Sequence, residues 1–148
     1  MTTTPYNKID YYNKMNIKYC KDDYCLHLSG CNPLFLTPEK LSAASIIATH
    51  YNTSITFISP HPRIHTPDIV FFDTLWKIKS PIGRSFRSIE RQIKRALPYS
   101  GSIIFDARKI AISVEEIQAR LAQLATQRAG TIRHLILIRK DGTIIEIR

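Results

Sequence analysis

Short apolar runs alternate with amphipathic stretches along most of this chain, and that alternation limits the folds open to it. Thr37-Pro38-Glu39 opens a helix: Thr37 can cap, Pro38 suits the first helical position, and Glu39 complements the helix dipole. Leu41, Ala44, Ile47 and Ala48 then share one face, and Asn52 is the expected stop. Ser54 to Ile58 alternates and reads as a strand, broken by Ser59-Pro60-His61-Pro62. Ile69 to Phe72 and Leu75 to Ile78 predict a strand pair around Asp73-Thr74. Ser88 to Leu97 predicts a helix with Phe86, Ile89, Ile93 and Leu97 on its buried side. Ser102 to Phe105 is an apolar strand ending at Asp106. Ser113-Val-Glu-Glu116 is a capping box, with Ser113 as cap and Glu116 reaching back, and Val114, Ile117, Leu121 and Leu124 mark the apolar face that follows. His134 to Ile138 and Thr143 to Ile147 predict a hairpin about Lys140-Asp141-Gly142. This order is that of one α/β (α+β) domain with a mixed central sheet flanked by helices.

Residues 1–35 are rich in Tyr, Asn, Lys and Asp and read as an N-terminal extension or cover segment, in which Tyr11, Tyr12, Ile17 and Tyr19 form a short helix or strand. Residues 36–148 are the domain proper. With 148 residues the chain is long enough for a real core, and 44% hydrophobic and 22% charged residues suit a globular domain. No apolar run reaches the length of a membrane span, and the first residues lack the core of a signal peptide. Cys20, Cys25 and Cys31 are an odd set read as reduced thiols. Their spacing, even with His27 nearby, does not match the common zinc modules. A net charge of +9 points to a polyanionic partner.

The cations cluster. Arg84, Arg87, Arg91, Lys94 and Arg95 recur at helical spacing opposite the apolar face, with Glu90 the single acid of the segment. A solvated helix face usually mixes signs, so this one reads as a phosphate-tracking stripe, with Gln92 able to touch the same ligand. Gly83-Arg84-Ser85 precedes the helix, where backbone amides can hold a phosphate oxygen. Upstream, Pro67-Asp68 sets a carboxylate at a strand end. Lys77 and Lys79 point to one face of the next strand, with Trp76 and Ile78 on the other. Asp106 and Arg108 follow the next strand, as a salt-bridged pair or as site residues. An acid on one strand, a lysine on the next and a basic helix are the parts from which many nucleases build a site on a phosphodiester. His61 and His65 are weighed as acid–base groups; His27, His50 and His134 read as structural.

From about Leu41 to Arg148 the chain resembles the C-terminal toxin domains of contact-dependent growth inhibition (CdiA-type) proteins. The resemblance is carried by an ordered set: Leu41-Ser-Ala-Ala-Ser-Ile-Ile-Ala48, Ile55-Thr-Phe-Ile58, Pro67-Asp68, Trp76-x-Ile78-Lys79-Ser80-Pro81-x-Gly83, Ser88 to Ala96, Ile103-Ile-Phe-Asp106 and Ile136 to Gly142. The helix and strand order also resembles the restriction-endonuclease-like core, with the barnase/EndoU/colicin/RelE-like ribonuclease fold as the competitor. The resemblance implies a nuclease toxin domain over residues 36–148, several such domains cutting transfer RNA. It further implies an acidic cognate immunity protein and action in the cytoplasm of a target cell. Asp68 and Lys79 match the family's acid and lysine, but Lys77 stands where the family has glutamate. That reversal disfavours a divalent metal beside Asp68, because the cation would face an ammonium. Three accounts stay open. Catalysis is metal-independent, with the lysines stabilising the transition state and a 2′-hydroxyl as nucleophile. Another acid, Asp73 or Asp106, replaces the lost one. Or the domain is a nucleic-acid-binding module without activity. A DNA endonuclease on the same core is a further alternative.

Overall fold

The computed structural model describes residues 19–21, 24–27, 37–61 and 63–148. Tyr11, Tyr12, Ile17 and Cys31 lie outside these residues. The chain divides into two compact units, Met1–Leu75 and Trp76–Arg148. The α/β class with mixed strand pairing is what both units display.

In the first unit, β1 (Tyr19–Lys21) and β2 (Tyr24–His27) pair antiparallel, with Cys20 opposite Cys25. α1 (Pro38–Tyr51) then crosses to β3 (Ile55–Phe57), which lies parallel to β2 and antiparallel to β4 (Ile69–Phe71). The Thr37 hydroxyl oxygen accepts from the Lys40 amide at 3.2 Å, and Asn52 ends the helix in the left-handed conformation at φ 50°. Ala43, Ala44 and Ala48 are buried beside Leu41 and Ile47. The turn after β4 centres on Phe72 and Asp73, not on Asp73-Thr74 as the sequence predicts. Both residues are left-handed, at φ 49° and 56°, so the turn closes one residue earlier.

β5 (Thr74–Lys79) leads into the second unit. There α2 (Phe86–Ala96) crosses to β6 (Ser102–Asp106), and α3 (Val114–Gln127) crosses to β7 (His134–Ile138). β5, β6 and β7 are parallel, and β8 (Ile144–Glu146) closes antiparallel on β7. β6 is the central strand, and all five of its residues are buried. Ile103 and Phe105 of β6 pack in one cluster with Ile89 and Ile93 of α2, Ile117, Leu121 and Leu124 of α3, and Leu135 and Leu137 of β7. Each such side chain contributes about 1.5–3 kcal/mol when fully buried. Both helices therefore cover one face of the sheet. Ser85 and Ser113 cap α2 and α3, their hydroxyl oxygens accepting from the Ser88 and Glu116 amides. One expectation fails here: Phe86 is the first residue of α2, is 41% exposed, and lies outside the buried stripe.

Candidate active site and nucleic-acid interface

Because β5, β6 and β7 run parallel, their C-terminal ends share one edge, where open α/β sheets place ligands. Ser80 arrives there after β5, and Asp106 with Arg108 at the end of β6. The Asp106 side chain is 4% exposed and fully engaged. Its Oδ1 accepts from Arg108 Nε at 2.8 Å and from the Arg108 amide at 3.1 Å. Its Oδ2 accepts from Arg108 Nη2 at 2.8 Å and from Ser80 Oγ at 3.1 Å. A buried carboxylate thus holds a planar guanidinium in a two-pronged grip, while Arg108 itself keeps 25% exposure. The next loop is tied to the same edge. Gly83 pairs with Ile110, its carbonyl accepts from the Ala111 amide at 2.8 Å, and its φ of 154° is one that residues with a Cβ rarely adopt.

From that loop α2 begins. Arg84, Arg87, Arg91, Lys94 and Arg95 are all exposed, and none makes an ion pair or side-chain hydrogen bond among the described residues. Glu90 is taken by Arg120 of α3, at 3.2 Å. Lys94 and Arg95 in the last turn suit the helix dipole, but Arg87 in the first turn opposes it. Like charges spaced i, i+4, such as Arg87 with Arg91 and Arg91 with Arg95, each cost the helix about 0.2–0.5 kcal/mol. The stripe is therefore not there for the stability of the helix. Ser85 spends its oxygen lone pair on the cap, and Gln92 is half-buried on the same helix.

The lysines of β5 lie as alternation requires. Lys77 is in register with Ile103 and Lys79 with Phe105, so both stand on the helix-covered face, half-buried, while Trp76 and Ile78 are buried on the other. Lys77 Nζ sits 4.0 Å from the centre of the Tyr99 ring, a cation–π contact. Lys79 and Asp106 occupy alternate positions of adjacent parallel strands, so they lie on opposite faces of the sheet. The sequence groups these two in one catalytic set; the register separates them.

In the first unit, Asp68 is buried, at 9% exposure, and its Oδ1 accepts from Lys40 Nζ at 2.8 Å. Sequence reasoning missed Lys40. The signal was there: a cation in the first turn of α1 opposes the dipole, and it asks for a local acid. Asp73 is exposed in the left-handed turn. His61 Nδ1 accepts from the Arg63 amide at 3.1 Å, and both His61 and His65 are exposed. At the β7–β8 turn, the Thr143 hydroxyl and amide hold the Asp141 carboxyl below its ordinary range. Among the described residues, no three His, Cys, Asp or Glu side chains gather closely enough to hold a metal ion, and no helix is long and apolar enough to cross a membrane.

No protein-family model matches the chain, and no curated protein matches it in sequence. Among solved structures it is similar to a chain of the CdiA-CT/CdiI toxin and immunity complex from Burkholderia pseudomallei, with a TM-score of 0.61 and 17% identity over 84% of this chain and 98% of that one. At that identity the likeness is one of fold.

Proposed function

We propose that this chain is an RNA-cleaving toxin domain of the contact-dependent growth inhibition type, with residues 36–148 as the nuclease-like domain and transfer RNA as its target. It acts in the cytoplasm of a target cell, and an acidic immunity protein neutralises it. The observation that carries the reading is the stripe of five exposed, unpaired cations on and beside α2, which starts from the same sheet edge as the Asp106–Arg108 fork. Phosphates track the stripe. Arg108, aimed by Asp106, neutralises charge that develops on the scissile phosphate. The ribose 2′-hydroxyl attacks phosphorus and gives up its proton to water, the P–O5′ bond breaks, the 5′-oxygen takes a proton from water, and the products carry a 2′,3′-cyclic phosphate and a 5′-hydroxyl. The proposed reaction runs without a divalent metal, and Asp106 serves as the support of Arg108, its oxygens accepting from Arg108 and Ser80.

The test is incubation of purified protein with total RNA and with plasmid DNA, in magnesium, in zinc and in EDTA. Fragments of transfer-RNA size with cyclic phosphate ends, persisting in EDTA, are the expected result. Folded protein that neither cuts nor binds RNA would sink the reading. A second reading, a binding module without activity, is favoured by one observation: Lys77, at the family's glutamate position, is packed on Tyr99. Lys77→Glu separates the two. A lapsed enzyme gains metal-dependent cleavage, whereas a metal-independent one gains nothing or loses activity.

A further inference from the structure

α2 and α3 leave between them an open groove of about 330 Å³, lined by Phe86, Glu116, Ala119, Arg120 and Gln123. That volume is at the small end of the range for sites that take a flat organic ligand. Its walls are unusual for a gap between two packed helices. Phe86 offers an aromatic ring that is 41% exposed. Arg120 offers a guanidinium held in place from both ends: Nη1 donates to Gln123 Oε1 at 2.6 Å and Nη2 to Glu90 Oε2 at 3.2 Å. The Nε of the same group is buried and has no acceptor among the described residues. Glu116 makes no return contact to the Ser113 amide, so only half of the expected capping box forms, and Glu116 is among the residues that line the groove. Phe86 sits between Arg84 and Arg87, two of the unpaired cations.

We infer that this groove receives one unpaired nucleobase of the RNA, stacked on Phe86 and on the Arg120 plane, while Arg84 and Arg87 hold the phosphates on either side of it. The inference rests on the RNA reading above and narrows it: the preferred ligand is single-stranded at this point. A ring and a guanidinium plane are the surfaces on which splayed bases stack. Gln123 supplies a hydrogen-bonding group for a base edge, and Glu116 accepts from an exocyclic amine. The placement of unpaired cations beside an aromatic, with Glu90 taken up by Arg120, matches a polyanion carrying flat bases.

The test uses the full chain and a short fluorescent RNA with 2′-O-methyl riboses, which cannot be cut, offered as a single strand and as the same sequence in a duplex. Two variants change the groove and leave the cations alone. Phe86→Ala removes an exposed ring, and Ala119→Trp fills the groove from an exposed position on α3. Single-strand affinity falls about tenfold or more in each, and duplex affinity stays within about twofold. A 2-aminopurine in the single strand is quenched on binding to wild type and not to Phe86→Ala. Wild type that binds the single strand, with both variants binding it equally well, overturns the inference and leaves the RNA reading standing. Wild type that binds neither probe removes both. Variants with normal RNA binding that escape an inhibitor protein identify the groove as a protein-docking surface and overturn the inference.

Discussion

Among the described residues, each unit of this protein buries one aspartate against a cation, and the two are built differently. Asp68 meets the ammonium of Lys40, a point charge on a flexible stem that stays 29% exposed. Asp106 is gripped by both prongs of Arg108, by the Arg108 amide and by the Ser80 hydroxyl, in a site with 4% exposure. A planar fork fixes direction as well as charge; an ammonium fixes charge alone. The first pair is a tether that can open toward water. The second is a mount that keeps a guanidinium aimed along the edge where three parallel strands end.

The sharpest way to break that distinction is Asp106→Asn. It keeps the shape and strands the Arg108 charge, so it should cost about 3 kcal/mol in a urea melt; a cost below about 1 kcal/mol would mean the mount is ornamental. Exchanging the cations comes next. Arg108→Lys should lose about 1–2 kcal/mol with the fork, whereas Lys40→Arg should stay within about 0.5 kcal/mol. Equal losses would erase the contrast. Asp68→Asn should cost about 1 kcal/mol, since Lys40 can turn its head to solvent. The smallest effect is at Asp141, an exposed aspartate held by uncharged donors, the Thr143 hydroxyl first and the Thr143 amide after it. Its carboxyl is lowered in the folded state, so its contribution is present above the unfolded value and is lost as pH falls through the folded one. NMR titration should find the Asp141 carboxyl titrating at lower pH than in Thr143→Val.

Much of the fold was legible because its signals are local. Thr37 and Ser113 cap the helices that the sequence assigned to them, and Asn52 stops α1. The alternation of Trp76, Lys77, Ile78 and Lys79 across β5 was readable for the same reason. What failed depended on partners far along the chain. Phe86 reads as buried by periodicity alone, but it stands at the first position of α2 and is exposed. Which lysine shares a face with which aspartate is set by the β5–β6 register, and no local pattern encodes that. The Arg120–Glu90 pair is likewise an agreement between two helices. The left-handed Phe72 defied propensity outright, since a bulky residue rarely takes that conformation.

The complete burial of β6 also sets the order of assembly. Its neighbours arrive by two crossovers, one before it in the chain and one after. During synthesis Ser102–Asp106 emerges with β5 at hand, but it cannot be closed on its other side until His134–Ile138 has followed. Pairings of that separation are slow to form, and an apolar strand waiting for its partner is prone to self-association. A chain stalled on the ribosome short of His134 therefore carries its fully buried strand half-paired.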